Sequence, residues 1–486
     1  MSTIQLDRNS ETPLYRQLYS ALRNAILNGT LRAQTRLPST RQLAGELNIG
    51  RNTVITAFEQ LYSEGYLITQ VGSGTRVATI ESLDLEGANQ KHPSKTQYNS
   101  KSLATRGQHL EAIRRTTASP RVRAFQPGLP AFDHFPFQLW SRILARHQRQ
   151  PRFADLGYAH SGGHPSLKLA LCEYLAQSRG VVSEPEQIII VSGAQAALDL
   201  ASRMLVDPGD DVWLEEPGYP GARGALLAAG AQLVPVPVGP LGLDVSAGEN
   251  SSPNARLAYV SPSFQYPSGV TLGLEQRLRL LDWARRTQAW IVEDDYDSEY
   301  RYRGRPISAM QGLDPGGRVV YLGTFSKTLY PSLRIGYLVV PPGLSPAFTR
   351  ALRHTGQSAP VLPQLALAEF IAQGHYTAHL RRMRTLYAQR KTRLTELLSE
   401  YLPDLTEYPE TDGGMQLPVW LKPGLDARSI SERAFEQHIV APNLAEFYLG
   451  KQPRPGLFLG FAGVAEDEME TAMARLTEII RAAAKK

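Results

Sequence analysis

TFSKTLYPSLRIGY, residues 324–337, decides how the chain is read. Just before it runs RVVYLGTF, residues 318–325, an apolar and β-branched segment that reads as a buried strand. Lys327 therefore stands at the mouth of a sheet, between small hydroxyl residues. Burial disfavours the ammonium form and lowers the pKa, so a lysine in that place becomes an amine nucleophile of the Schiff-base kind. Thr324 and Ser326 offer hydroxyls beside it, and Arg334 offers a fixed planar cation suited to a phosphate. An amine next to phosphate-binding groups points to pyridoxal phosphate.

Outward from this stretch, strands and helices alternate. EQIIIVSG, DVWLEEPGY, RLAYVSPS and AWIVEDDY are near-continuous apolar runs, and AQAALDLASRML and EQRLRLLDWARRTQ between them have helical spacing. The pattern predicts an α/β domain with a mainly parallel sheet, in which ligands sit at the carboxyl ends of the strands. Three strand ends complete the case for Lys327. In SGAQAAL, residues 192–198, a small-residue turn exposes the backbone N–H groups of Ala194 and Gln195 at a helix start, ready for a phosphate. EDDYDSEY, residues 293–300, ends a buried strand on consecutive carboxylates, and a carboxylate facing a pyridine nitrogen keeps that nitrogen protonated. In EEPGYPG, residues 215–221, Tyr219 can cover a ring face.

Residues 1–80 follow another pattern. Leu14, Leu18, Leu22, Ala25 and Ile26 recur at helical spacing, and Gly29 stops the helix. Pro38 and a capping Ser39 begin a second helix through Leu43, Ala44 and Leu47, which turns at residues 48–50. A third starts near Arg51 with Val54, Ala57, Phe58 and Leu61 on one face and Gly65 behind it. Two short helices joined by a tight turn make a helix-turn-helix, and YLITQVGSGTRVA reads as two strands joined by Gly72, Ser73 and Gly74, a wing. The first turn of the third helix presents Arg51, Asn52 and Thr53, types that read base edges and phosphates. This segment holds eight Arg and no Lys against five acidic residues. Arginine suits bidentate contacts to phosphate and guanine.

At 486 residues the chain exceeds what one core serves, and a net charge of +6 is compatible with a polyanionic partner. The single cysteine, Cys172, excludes an intramolecular disulfide and a cysteine-rich metal site, so no metal is expected. No signal peptide is read at the start, and no apolar run of about 18 residues spans a bilayer. The expectation is a cytoplasmic protein without a membrane partner. Residues 81–120 are polar and without sustained periodicity, and are expected to be largely a flexible linker between residues 1–80 and 121–486.

LPSTRQLAGELNIGRNTVITAFEQLYSEGYL followed by VGSGTRV resembles the winged helix-turn-helix of GntR-type regulators. That resemblance implies contacts to double-stranded operator DNA from Arg41, Arg51 and Thr53, with residues 72–74 approaching the minor groove. The rest resembles fold-type-I aminotransferases, and the whole resembles the MocR family, in which the two are fused. Carried over, Lys327 would attach pyridoxal phosphate, Asp294 would pair with the pyridine nitrogen, Tyr296 would bond the phenolic oxygen and Tyr219 would stack on the ring. Ala194, Gln195, Thr324, Ser326 and Arg334 would hold the phosphate, helped by Tyr158 reaching across a head-to-tail homodimer. The sequence departs from the aminotransferase pattern at Tyr266, where an asparagine is usual, and at Phe458, where an arginine holds the substrate carboxylate. Phe264 and Gln416 stand where relatives commonly have histidine, and Arg454 or Arg223 could replace the missing clamp. The leading expectation is a regulator that senses an amine or amino acid. The rivals are a working aminotransferase with an accessory domain and a regulator that senses the cofactor itself.

Overall fold

Leu18, Leu22 and Ile26 are buried along one face of α1 (Leu14–Leu27), as an apolar stripe facing a core requires. Ser39 Oγ accepts the Gln42 N–H at 3.2 Å and starts α2 (Thr40–Leu47), and Asn48, left-handed at φ 51°, ends it. α3 (Arg51–Ser63) buries Val54, Ala57, Phe58 and Leu61. β1 (Leu67–Gln70) and β2 (Gly74–Val77) pair antiparallel with Leu67 opposite Val77, and both residues join the core that α1, α2 and α3 share. The expected helix-turn-helix and wing are both formed. In this computed structural model the described residues are 4–70, 74–79, 103–113, 122–158, 160–450 and 454–485, so Gly72 and Ser73 of the wing tip lie outside them.

The chain divides into two compact units, Met1–Ser102 and Leu103–Lys486. The second opens with α4 (Thr105–Ala112), a helix inside the stretch expected to be a linker. After α5 (Phe137–Arg149) and α6 (Pro165–Arg179) come β3 (Ile188–Val191), α7 (Ala194–Leu205), β4 (Asp211–Glu216), α8 (Pro220–Ala229), β5 (Gln232–Gly239), β6 (Gly242–Leu243), α9 (Val245–Ser251), β7 (Leu257–Val260), α10 (Leu274–Thr287), β8 (Trp290–Asp295), β9 (Val319–Thr324) and β10 (Gly336–Val339). The strands form one sheet in the order β3-β10-β9-β8-β7-β4-β5-β6. β9, β8, β7, β4 and β5 are mutually parallel, and every residue of β3, β7 and β9 is buried, as strands covered on both faces should be. β10 runs antiparallel to both β9 and β3, because the connection through residues 325–335 is too short for a crossover helix.

α4 is held by what α8 lacks. A Cβ on Gly224 would stand 3.6 Å from Ile113 Cδ1 and 3.9 Å from Leu110 Cδ2, so the bare helix face receives both side chains. A helix this short with no buried residue of its own gives no periodic signal.

The remaining helices are α11 (Ser345–Thr355), α12 (Val361–Ala372), the long α13 (His375–Tyr401), α14 (Ala427–Glu436) and α15 (Glu466–Ala484). α11 packs on α7 and β3, α12 on α5 and α6, and α15 against both α13 and α14, while α14 packs on a three-stranded antiparallel sheet of β11 (Thr406–Glu407), β12 (Gln416–Leu421) and β13 (Gly456–Gly460). Its register sets Gln416 opposite Gly460 and Pro418 opposite Phe458.

Candidate functional site

Strand alternation decides which carboxylate at the end of β8 faces the ligand side of the sheet. Glu293 and Asp295 point one way into structural bonds. Glu293 accepts the N–H groups of Met310 (2.8 Å) and Gln311 (2.9 Å), and Asp295 Oδ2 accepts from Arg179 Nε (2.7 Å) and the Tyr321 hydroxyl (2.5 Å). Asp294 points the other way. Its Oδ2 accepts the Tyr259 hydroxyl at 2.5 Å, while its Oδ1 is buried with no partner among the described residues. Burial pushes the Asp294 carboxyl up to about 7, opposed by the Tyr259 hydrogen bond. A protonated ring nitrogen is the kind of donor that would satisfy the free oxygen and hold the carboxylate ionised. Tyr259, on the neighbouring β7, was not singled out from the sequence. Its only signal there is a phenol within an otherwise aliphatic buried strand.

Lys327 lies just beyond β9, half-buried. Its Nζ donates to the Gly128 carbonyl at 2.9 Å. Desolvation pushes its pKa down, and the Asp297 and Asp294 carboxylates pull it back. Gly128 is left-handed (φ 73°), which favours glycine, and a Cβ there would lie 2.4 Å from Nζ and displace the lysine. The chain leaves β9 through a hydroxyl turn in which Thr324 Oγ1 accepts the Ser326 N–H at 3.2 Å. Tyr296, half-buried after β8, has its phenol pKa driven far up, first by burial and then by Asp297.

The other end of the site is a helix N-terminus. α7 starts at Ala194 after Gly193 (φ 96°) with no side-chain cap, which leaves its first N–H groups and the positive end of its dipole open. Arg334, left-handed at φ 54°, sets its guanidinium 3.7 Å from where a Gly193 Cβ would be. Gln195 Nε2 donates to the Gly221 carbonyl at 2.9 Å. A Cβ on Gly221 would lie 2.5 Å from the Tyr219 ring and 2.7 Å from Gln195 Oε1, so that glycine lets the two meet. Ser192, Gln195, Tyr219, Tyr266 and Arg334 line one cavity of about 740 Å³, with Leu110 and Ile113 on its rim. A cleft of about 840 Å³ against α14 holds none of these polar groups.

Beyond the lysine the wall is aromatic. The Tyr266 ring packs edge-on against Phe458 (5.2 Å), Phe447 (5.3 Å) and Tyr219 (5.4 Å), with Tyr296 at 6.0 Å. Phe458 is buried on β13, and Phe264 lies against Gly413. Gln416 Oε1 is buried without a partner and lies 3.8 Å from where a Gly128 Cβ would be. Neither arginine named as a substitute clamp lines the cavity that Tyr219 and Tyr266 share. Arg454 Nη1 bonds Glu407 at 2.7 Å and its guanidinium covers Trp420, while Arg223 lines a different cleft with His109 and Tyr448.

Of the predicted cofactor residues Gln195, Tyr219 and Arg334 line that cavity, and Tyr158 lies apart from it. It is wholly exposed and lines a separate cleft with His160, Ser161 and Arg353. The loop carrying it is pinned by Asp155, whose Oδ1 meets Nε2 of His160 at 3.0 Å and of His164 at 3.3 Å. His164 Nδ1 accepts the Ser166 N–H at 3.2 Å and caps α6, which leaves the proton on Nε2 facing the carboxylate. These three side chains therefore form one hydrogen-bonded cluster.

In the first unit Arg41, Arg51 and Asn52 are exposed at the starts of α2 and α3, and Thr53 is half-buried beside them. At the wing Gly74 is left-handed (φ 85°), with the Arg36 guanidinium 3.4 Å from a Cβ built there. Arg36, bridged to Arg76 across the wing, was missed in the sequence because it lies outside the helix-turn-helix.

Residues 138–476 match the aminotransferase class I and II family, and residues 14–77 match the bacterial regulatory proteins of the gntR family. The chain is 47% identical over 94% of its length, and 92% of the other, to a probable rhizopine catabolism regulatory protein MocR of Rhizobium meliloti. It is 29% identical, over 98% of each chain, to an HTH-type pyridoxine biosynthesis transcriptional regulator of Corynebacterium glutamicum. Among solved structures it resembles α-aminoadipate aminotransferase LysN of Thermus thermophilus, complexed with N-(5'-phosphopyridoxyl)-L-leucine. The TM-score is 0.69 at 28% identity, covering 76% of this chain and 96% of that one. The chain belongs to the MocR-type regulators, which join a GntR helix-turn-helix to an aminotransferase-like domain. Among the described residues no helix is long and apolar enough to cross a membrane.

Proposed function

We propose that this regulator binds pyridoxal phosphate and reads an amine through it to control binding of double-stranded operator DNA. The observation that carries the cofactor is the buried, unpartnered Asp294 Oδ1, on the side of the sheet where Lys327 has a depressed pKa and the open α7 N-terminus meets Arg334. When bound, pyridoxal phosphate supplies an aldehyde that condenses reversibly with primary amines. Lys327 offers the amine, its pKa lowered so that a larger neutral fraction is present. Asp294, oriented by Tyr259, holds a proton on the ring nitrogen, Tyr296 donates to the ring oxygen and Tyr219 covers the ring. Ala194, Gln195, Thr324, Ser326 and Arg334 hold the phosphate. Tyr158 projects from the chain in the way a group meant for a second copy would, which supports a head-to-tail homodimer. Arg41, Arg51, Asn52, Thr53 and the wing residues Gly72, Ser73 and Gly74 would contact DNA in the cytoplasm.

The test is to titrate the cofactor-loaded protein with amines while following its visible absorption and an operator-shift assay. An amine that changes both is the expected result. Rapid multiple turnover of an amino-acid and keto-acid pair without any effect on DNA would make the protein an aminotransferase. DNA binding that follows added cofactor alone, with no amine response, would make it a cofactor sensor, the reading favoured by likeness to the pyridoxine biosynthesis regulator.

A further inference from the structure

The wall facing Tyr266 has a chemical bias that narrows the amine. Four rings, Tyr219, Tyr296, Phe447 and Phe458, surround Tyr266 at 5.2 to 6.0 Å, and Phe447 and Phe458 are buried. None of them brings a cation. Arg454 pairs with Glu407 and covers Trp420, Arg223 lines another cleft, and Arg334, at the α7 end of the cavity that Tyr219 and Tyr266 line, is assigned to the phosphate in the reading above. What acts electrostatically on Tyr219 and Tyr266 is negative or phenolic: Asp294 on the first, Tyr219 and Glu446 on the second. Asp297 acts on Tyr296, one of these rings, and its Oδ2 is buried with no partner among the described residues.

With Arg334, which lines the same cavity, committed to the phosphate in the reading above, a carboxylate entering beside Tyr219 and Tyr266 would lose its hydration, meet no second guanidinium among the described residues lining that cavity, and approach Asp294. An apolar or cationic group meets ring surfaces and acceptors instead. We propose that the effector recognised here is a primary amine carrying no carboxylate, with Phe458 and Tyr266 setting that selectivity. The inference rests on the pocket being the amine site proposed above.

Pairs that differ only by the carboxylate separate it from that reading: phenethylamine against L-phenylalanine, tyramine against L-tyrosine, cadaverine against L-lysine. Dissociation constants are measured on the cofactor-loaded full chain by absorption titration and, independently, by calorimetry. In the responding pair the amine should bind on the order of tenfold tighter or more, the factor that one lost charge-assisted contact produces. Phe458→Arg should bring the amino acid to parity or better. Phe458→Gln, a neutral donor that burdens the fold less, should shift the ratio the same way by less. Amino acids binding as tightly as their amines to the wild-type protein would overturn the inference alone. No response from either member of any pair would overturn the amine-site reading and the inference with it, while leaving the cofactor band as separate support for Lys327.

Discussion

Asp294 keeps one buried oxygen without a partner, and its ionisation therefore reports on the pocket directly. Its carboxyl is raised by burial to about 7 in the folded, cofactor-free chain, against an ordinary value near 4 when unfolded. The folded state thus binds a proton through that interval which the unfolded state has released. The stability this gives is full below about pH 4 and is lost as pH rises through about 7. In urea melts of cofactor-free protein between pH 5 and 7.5, Asp294→Asn should flatten the fall in stability by up to ~1.4 kcal/mol per pH unit. An unchanged slope would show that other buried acids, such as Glu215, which burial raises to about 8, dominate. On the cofactor side, Lys327→Ala should be colourless, and Asp294→Ala should weaken cofactor retention much more than Asp297→Ala. Equal losses, measured by dialysis and absorption, would mean that the wrong carboxylate has been assigned to the ring.

Elements are fixed by close approaches as much as by apolar stripes. Gly323 in β9 has the Tyr337 ring of β10 lying across it, and a Cβ there would come within 2.2 Å of ring atoms. Gly323→Ala should destabilise the second unit by roughly 1 to 3 kcal/mol through overpacking, read as a lower urea midpoint at constant m. In the first unit Ser39→Ala removes the α2 cap and should cost about 1 kcal/mol. α4 offers a different test, because Leu110 and Ile113 pack on Gly224 and rim the cavity that holds Tyr219 and Arg334. Leu110→Asp should release α4, seen as faster amide exchange in residues 105–112 with little change in the main sheet. Unchanged exchange there would mean that α4 owes its order to something other than α8.

At the scale of the whole chain, the arginine-only basic set of residues 1–80 makes DNA affinity an ionic quantity. Arg51→Ala should weaken operator binding and reduce the slope of log affinity against log salt by about one, measured by fluorescence anisotropy at several salt concentrations. An unaltered slope would remove Arg51 from the phosphate contacts. Tyr158 is exposed in the single chain, and the proposed head-to-tail homodimer would bring it to a second copy. Tyr158→Phe should loosen the cofactor without changing the monomer's melting.

The α/β class, the winged helix and the candidacy of Lys327, Asp294 and Arg334 could be read from the sequence alone, because they depend on local pattern: apolar runs, caps, a glycine hairpin and charged residues at strand ends. The Ser39 cap and the paired wing strands agree with that pattern. Tertiary structure decided the rest. Tyr259 meets Asp294 across neighbouring strands 35 residues apart, Gly128 meets Lys327 across 199, and Phe458 reaches Tyr266 from a different sheet. α4 sets Leu110 and Ile113 against the Gly224 face of α8, a residue more than a hundred positions away. Periodicity records which face of an element is buried, but not which distant residue it is buried against, and those distant pairs build the walls of this pocket.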